Sequence, residues 1–261
     1  MTRNTLTVLL VLGGAGIWTA WARGADEGLD KAFEALKTYD FGQDRSVLQP
    51  IDKAVAASHS DLAARKALES RLAEILKAEV PMAAKDFACR QLSLAGTAAS
   101  VPALAALLAD DKLSHMARYA LERIPDDAAV QALRDALPRV SGLKKVGVIN
   151  SLAVRRDAPS TAAMAALLQD GDQEVVSAAA AALGAIGTAE AAQALAEFRK
   201  KAPQELRLVA ADASLACAER LLAAGNKAQA MAIYKALLGA DQPRHVQLAA
   251  RRGLLAAMGQ K

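Results

Sequence analysis

Aromatic residues are nearly absent: four Phe, three Tyr and two Trp are all that 261 residues contain. A hydrophobic core therefore has to be assembled from Ala, Leu and Val, and with Ala and Leu strong helix formers and strand formers scarce, the composition points to an all-α protein. Cysteine is limited to Cys89 and Cys217, 128 residues apart. In a stack of helices spaced ~8–10 Å apart, that separation exceeds the Cα distance of about 7 Å that a disulfide tolerates. Both are expected as small buried apolar residues, with a reactive thiol as the alternative. The three histidines, His59, His115 and His245, are none of them followed by Glu. Cys-x-x-Cys, His-Glu-x-x-His, Gly-x-Ser-x-Gly and phosphate-loop patterns are missing after residue 22. Metal, acyl-transfer and nucleotide chemistry thus lack their usual groups, so no catalytic residue, metal ligand or cofactor is expected and the chain is read as no enzyme. Charge of one sign is lacking too: 32 basic against 28 acidic residues leave +4, too even a balance to announce nucleic acid as a partner.

The first 22 residues stand apart. A short basic start with Arg3 leads into the uncharged apolar run from Leu6 to Trp18, and Ala20 and Ala22 supply small residues where a signal peptidase inspects the chain. This is the pattern of a secretory signal peptide. A retained membrane anchor is the alternative, but Leu6 to Ala22 is only 17 residues with three glycines, the low end of the roughly 17–25 a spanning helix needs. The mature chain, with net charge +3, is expected in the periplasm or secreted, free of the membrane and monomeric.

What the sequence has in abundance is alanine, and its placement is periodic. Leu183 and Leu195 lie 12 residues apart, and the same interval separates Leu152 from Met164, Leu121 from Leu133 and Leu92 from Leu104. Successive copies begin 29, 31 and 31 residues apart. A fixed period of this size signals stacked helix pairs, each burying its face only against its neighbours. Within the first helix of a copy, positions seven, four and three before the mark and three after it share one face. They hold Lys85, Ala88, Cys89 and Ala95 in one copy and Val176, Ala179, Ala180 and Ile186 in another. Small residues there allow neighbouring helices to approach closely.

The copies ACRQLSLAGTAASVPALAALLADD, LSHMARYALERIPDDAAVQALRDAL and VVSAAAAALGAIGTAEAAQALAEF resemble HEAT repeats, in particular the short bacterial type named after phycobilisome lyases. The resemblance spans about Ala83 to Lys201 and implies a right-handed αα superhelix, an α-solenoid of helix pairs that binds other proteins. It departs from the family where Asp86, His115 and Ser177 replace an arginine common early in the first helix, with Arg207 alone matching it. The HEAT-repeat hydroxylases that bind iron through His-Glu pairs are excluded, since no such pair occurs. Residues 23–80 read as an N-terminal helical cap, with Asp61 placed to cap a helix running to Lys77. Residues 81–202 are the repeats proper, and 203–261 are longer helical units in which Ala230, Tyr234 and Pro243 resemble half a tetratricopeptide repeat.

The surface to inspect follows from the register. Two residues before each mark, opposite the packed face, stand Arg90, Tyr119, Asn150 and Ala181, and five before stand Phe87, Met116, Gly147 and Ala178. The resemblance places these helices on the concave side. A partner groove is one reading, with Phe87 and Met116 as apolar anchors and Arg90, Tyr119 and Asn150 as polar contacts. Simple packing of Phe87 and Met116 between helices is the other. Arg155, Arg156 and Asp157 read as a helix end and solvated turn. The function expected is a non-catalytic scaffold of the cell envelope that holds a protein or peptide partner. The alternatives are an accessory of an exported carbohydrate-processing system and, more remotely, an enzyme akin to the bilin lyases.

Overall fold

The computed structural model describes residues 27–259, and residues 1–22, read from the sequence as a signal peptide, lie outside them. Every regular element among the described residues is helical. Helix α1 covers 27–36, followed by α2 (Gln49–Ala57), α3 (Leu62–Lys77), α4 (Met82–Ala95), α5 (Val101–Ala105), α6 (Ser114–Arg123) and α7 (Asp127–Ala136). Then come α8 (Gly142–Val154), α9 (Thr161–Leu167), α10 (Gln173–Ile186), α11 (Ala189–Lys201), α12 (Arg207–Ala223), α13 (Lys227–Ala236) and α14 (Arg244–Met258). They stack in two rows. Helices α4, α6, α8, α10, α12 and α14 pack side by side in the first, while α3, α5 and α7 lie side by side in the second, as do α9 and α11. The first row packs more extensively along its length than the second, whose helices are mostly shorter.

The periodic marks explain the stack. Leu92, Leu121, Leu152 and Leu183 in the first row, and Leu104, Leu133, Met164 and Leu195 in the second, are all closed off from solvent in one continuous core. The all-α solenoid expected from the 29–31-residue period is the fold observed. Both cysteines are free and buried inside it. Burial pushes the Cys89 thiol up to about 12, with Asp86 adding to the rise, and the Cys217 thiol up to about 11. Neither is poised as a nucleophile.

Helix ends are fixed by local chemistry. Asp61 accepts from the backbone N–H groups of Ala63 and Ala64 at the start of α3, and Asp126 and Asp172 cap α7 and α10 in the same way. Helix α10 stops at Gly187, whose φ of 66° is left-handed, and Thr188 caps α11 one residue later. Gly187 is required twice over, because a Cβ there would also lie 2.3 Å from the Cβ of Arg220 on α12.

Long-range polar contacts tie one unit to the next in the N-terminal half. Arg65 of α3 donates to the carbonyls of Ala95 (2.8 Å) and Gly96 (3.1 Å), satisfying the open end of α4. One turn on, buried Glu69 accepts from Thr97 N–H at 2.6 Å and Ser100 N–H at 3.1 Å, just ahead of α5. Arg155, past the end of α8, donates back to the carbonyls of Leu121, Ile124 and Asp126 at the close of α6. Asp157, far from lying in a solvated turn, is buried and accepts from Arg134 at 2.7 Å. Arg156 takes the exposed left-handed position between them, at φ 52°. The region after Pro203 lengthens unevenly, with 17 residues in α12 and 15 in α14 but only 10 in α13.

Candidate functional site

Helices α4, α6 and α8 of the first row bury most of their circumference, so each leaves only a narrow strip to solvent. On α4 that strip carries Arg90, on α6 Tyr119 and on α8 Asn150, each two residues before the buried mark. Arg90 is mostly exposed and donates through Nε to Asp86 at 2.9 Å, a turn earlier. That hydrogen bond, and then the charge of Asp86 and the nearby Tyr119, hold the guanidinium protonated despite some desolvation. Tyr119 is half-buried, with the guanidinium of Arg123 stacked 3.6 Å from its ring centroid. Asn150 is exposed and opens onto a groove of about 540 Å³ between α8, α10 and α12. Gln173, Glu174 and Ser177 line that groove from α10, while Glu205, Leu206 and Val209 line it from the α12 side.

Phe87 and Met116 are buried, at 4% and 8% exposure, and serve packing between helices. Phe87 lies beneath Arg45, whose guanidinium carbon is 5.5 Å from the ring centroid and which also pairs with Asp52 at 3.0 Å. Of the two readings open for these residues, burial agrees with packing between helices and leaves little surface for anchoring a partner. Gly147, at the equivalent position of α8, is covered by the Arg118 guanidinium, which donates to the Gly147 carbonyl at 3.0 Å and would meet a Cβ at 2.4 Å. Arg118 sits half-buried, and desolvation lowers its pKa, with Glu122 opposing the shift.

The apolar residues on the open strip are different ones. Leu94 and Val154 are 69% and 65% exposed, four residues after Arg90 and Asn150, and Arg123 holds the matching place on α6. Residues four apart on a helix are surface neighbours. The strip therefore reads Arg90 with Leu94, Tyr119 with Arg123, and Asn150 with Val154. A test of positions two after each mark would have found them in the sequence. The acidic rim of the groove, Glu174 and Glu205, carries no such periodic signal. Among the described residues no three His, Cys, Asp or Glu side chains gather as a metal site would require. None of the helices described is long and apolar enough to cross a membrane.

Residues 141–216, from the start of α8 to the middle of α12, match the family model of HEAT repeats. No curated protein matches the chain. An engineered protein of known crystal structure is similar at 23% identity, with 80% of this chain and 96% of that chain covered and a TM-score of 0.43. The family match overlaps the resemblance seen in the sequence from residue 141 to 201 and reaches further, into α12. The paired helices in two rows and the buried marks at a constant interval accord with that match, and residues 141–216 carry HEAT repeats within the all-α solenoid.

Proposed function

We propose that this solenoid is a non-catalytic scaffold of the cell envelope that holds a protein or peptide partner along the open strip of its first helix row. The observation that carries the reading is the strip itself. Three successive helices present a polar or aromatic residue and, one turn on, an aliphatic or arginine side chain at matching places, and the strip continues into the groove beside Asn150. Equivalent side chains on stacked helices repeat at ~8–10 Å, a spacing suited to following an extended segment or a partner helix. Leu94 and Val154 supply the apolar contacts, and Arg90, Tyr119, Arg123 and Asn150 the polar ones. Short repeats of the phycobilisome-lyase type and a tetratricopeptide-like end at α13 and α14 belong to the same reading, as does a monomeric state.

Arg90→Ala combined with Tyr119→Ala tests it. The double variant is expected to melt within a few degrees of the parent while binding its co-purifying partner at least ~30-fold more weakly, since Arg and Tyr are the types in which interface energy concentrates. Unchanged binding would move the interface off the strip. Export has its own test. Trp18 and Trp21 are the only tryptophans, so protein cleaved after Ala22 shows no tryptophan emission on excitation at about 295 nm, an absorption window specific to the indole ring. An intact mass that includes residues 1–22 contradicts cleavage.

A further inference from the structure

A second concavity lies on the second helix row, apart from the strip. Helices α11 and α13 both pack on α12 but barely on each other. A groove of about 360 Å³ opens between them, with the exposed Glu190, Gln193 and Gln229 along it. Ala192 and Ile233 line this groove and also a recess of about 20 Å³ that reaches down to Ser214 and Cys217 of α12. A space of that size holds about one small group.

Arg199 lines the recess from the last turns of α11 and is half-buried. It forms no ion pair and no hydrogen bond among the described residues. Its nitrogens are nonetheless reachable, since the unpartnered side-chain polar atoms sealed from solvent among the described residues are Arg118 Nε and Tyr234 Oη alone. The floor carries no anion to pair with it: the Ser214 hydroxyl donates to the Ala210 carbonyl at 2.7 Å, and burial keeps Cys217 a thiol. Asp241, on the connection from α13 to α14, is near enough for its charge to act on Arg199 yet stays outside pairing distance. Taking a guanidinium part-way out of water without a partner is unfavourable, and an anion entering the recess offsets that cost.

We infer that the α11–α13 groove docks a partner segment that inserts a glutamate side chain, its carboxylate meeting Arg199 in the recess. Each part of the site has its counterpart in that group. The guanidinium takes a carboxylate through two parallel N–H donors. The methylenes pass between Ala192 and Ile233, while the partner's backbone stays in the outer groove, where the Gln193 and Gln229 amides both donate and accept. A phosphate fits less well, because Arg199 is the one basic residue lining either space and Asp241 and Glu190 oppose a second negative charge. A chain end fits less well too, since its whole last residue would have to enter the recess.

The test uses purified full-length protein carrying ¹³C-labelled isoleucine methyls and a defined probe, an N-acetylated, C-amidated alanine pentapeptide with a central glutamate. The comparisons are the same peptide with a central glutamine, that glutamine peptide with a free C-terminal carboxylate, acetate and inorganic phosphate. Ile233→Val assigns the methyl that lines both spaces. The glutamate peptide is expected to shift the Ile233 signal and leave that of Ile51 in place, with a Kd below about 1 mM. The glutamine peptide should bind at least about tenfold more weakly. Arg199→Gln should weaken the glutamate peptide about tenfold with an undiminished melting temperature, because it removes a charge that has no partner. Ala196→Glu, which supplies a carboxylate three residues before Arg199 on the same helix, should abolish the shift in protein that still holds Arg199. No Ile233 shift with the glutamate peptide, equal binding of the glutamine peptide, or a melting temperature lowered by Arg199→Gln would each overturn the inference. So would tighter binding of the free C-terminus, which would make the occupant a chain end, or a shift with acetate or phosphate alone, which would make it an adventitious ion only.

Discussion

The interfaces α4–α6–α8 and α10–α12 belong to the same row, yet they are built differently. Between α6 and α8 the contact is bridged by side chains: Arg118 reaches the Gly147 carbonyl, Ser151 donates to Glu122 at 2.7 Å, and Arg155 closes the end of α6. Between α10 and α12 no side-chain hydrogen bond occurs among the described residues. There the backbones come together, and a Cβ on Gly184 would lie 2.7 Å from the Ala213 carbonyl oxygen. Ala179, Ala180, Ala210 and Ala213 fill the seam, all buried. One architecture thus meets the same requirement in two ways. Where the helices carry arginines, polar side chains fill the gap and satisfy helix ends. Where alanine and glycine dominate, close packing leaves no gap to fill.

Four expectations sharpen that contrast. The largest effect belongs to the marks shared by both halves: Leu121→Asp or Leu152→Asp should each lower the unfolding free energy by about 3–5 kcal/mol, by placing an unpaired charge in a packed interface. Ala181→Asp, on the exposed side of α10, should change it by under ~0.5 kcal/mol. Urea titration of the three variants reads this, and equal losses would mean the register is wrong. Next, Gly184→Val should cost about 2–3 kcal/mol, since the added atoms meet backbone that cannot move aside. Gly147→Ala displaces only the end of the Arg118 side chain, so its cost should be visibly smaller in the same titration.

Arg155→Ala comes third, with a loss of about 1–2 kcal/mol from carbonyls of α6 left without their donor. Hydrogen exchange should show α6 fraying at its C-terminal turn while α10 and α12 are untouched. The smallest effect is chemical. Below pH 9.0, the ordinary thiol value, Cys89 is protonated both folded and unfolded and contributes no pH dependence. Between there and about 12 only the unfolded chain ionises, so this residue's contribution erodes stability as pH rises. Accordingly, Ellman's reagent at pH 8 should label neither cysteine in native protein and both in denaturant.

The rows and their register were legible in the sequence because a leucine every 29–31 residues is a packing requirement that composition cannot blur. Asp61 as a cap was legible for a similar reason: the interaction is local, between residues two or three apart. The candidate site was legible only in part. Its polar members Arg90, Tyr119 and Asn150 followed from helix geometry, but the register alone left Phe87 and Met116 between a groove role and packing between helices. The structure covers Phe87 with Arg45, a residue 42 positions earlier whose approach no period announces. The same holds for Arg155 and Asp157, whose partners lie on other units.

The central claim, that a partner lies along the first-row strip, is tested most directly by a photo-cross-linking residue placed at Asn150 and, separately, at Ala166, both exposed but on opposite rows. Irradiation of cells expressing each variant should give a defined adduct from position 150 and none from position 166. An adduct from 166 with none from 150 would contradict the account and put the partner on the second row.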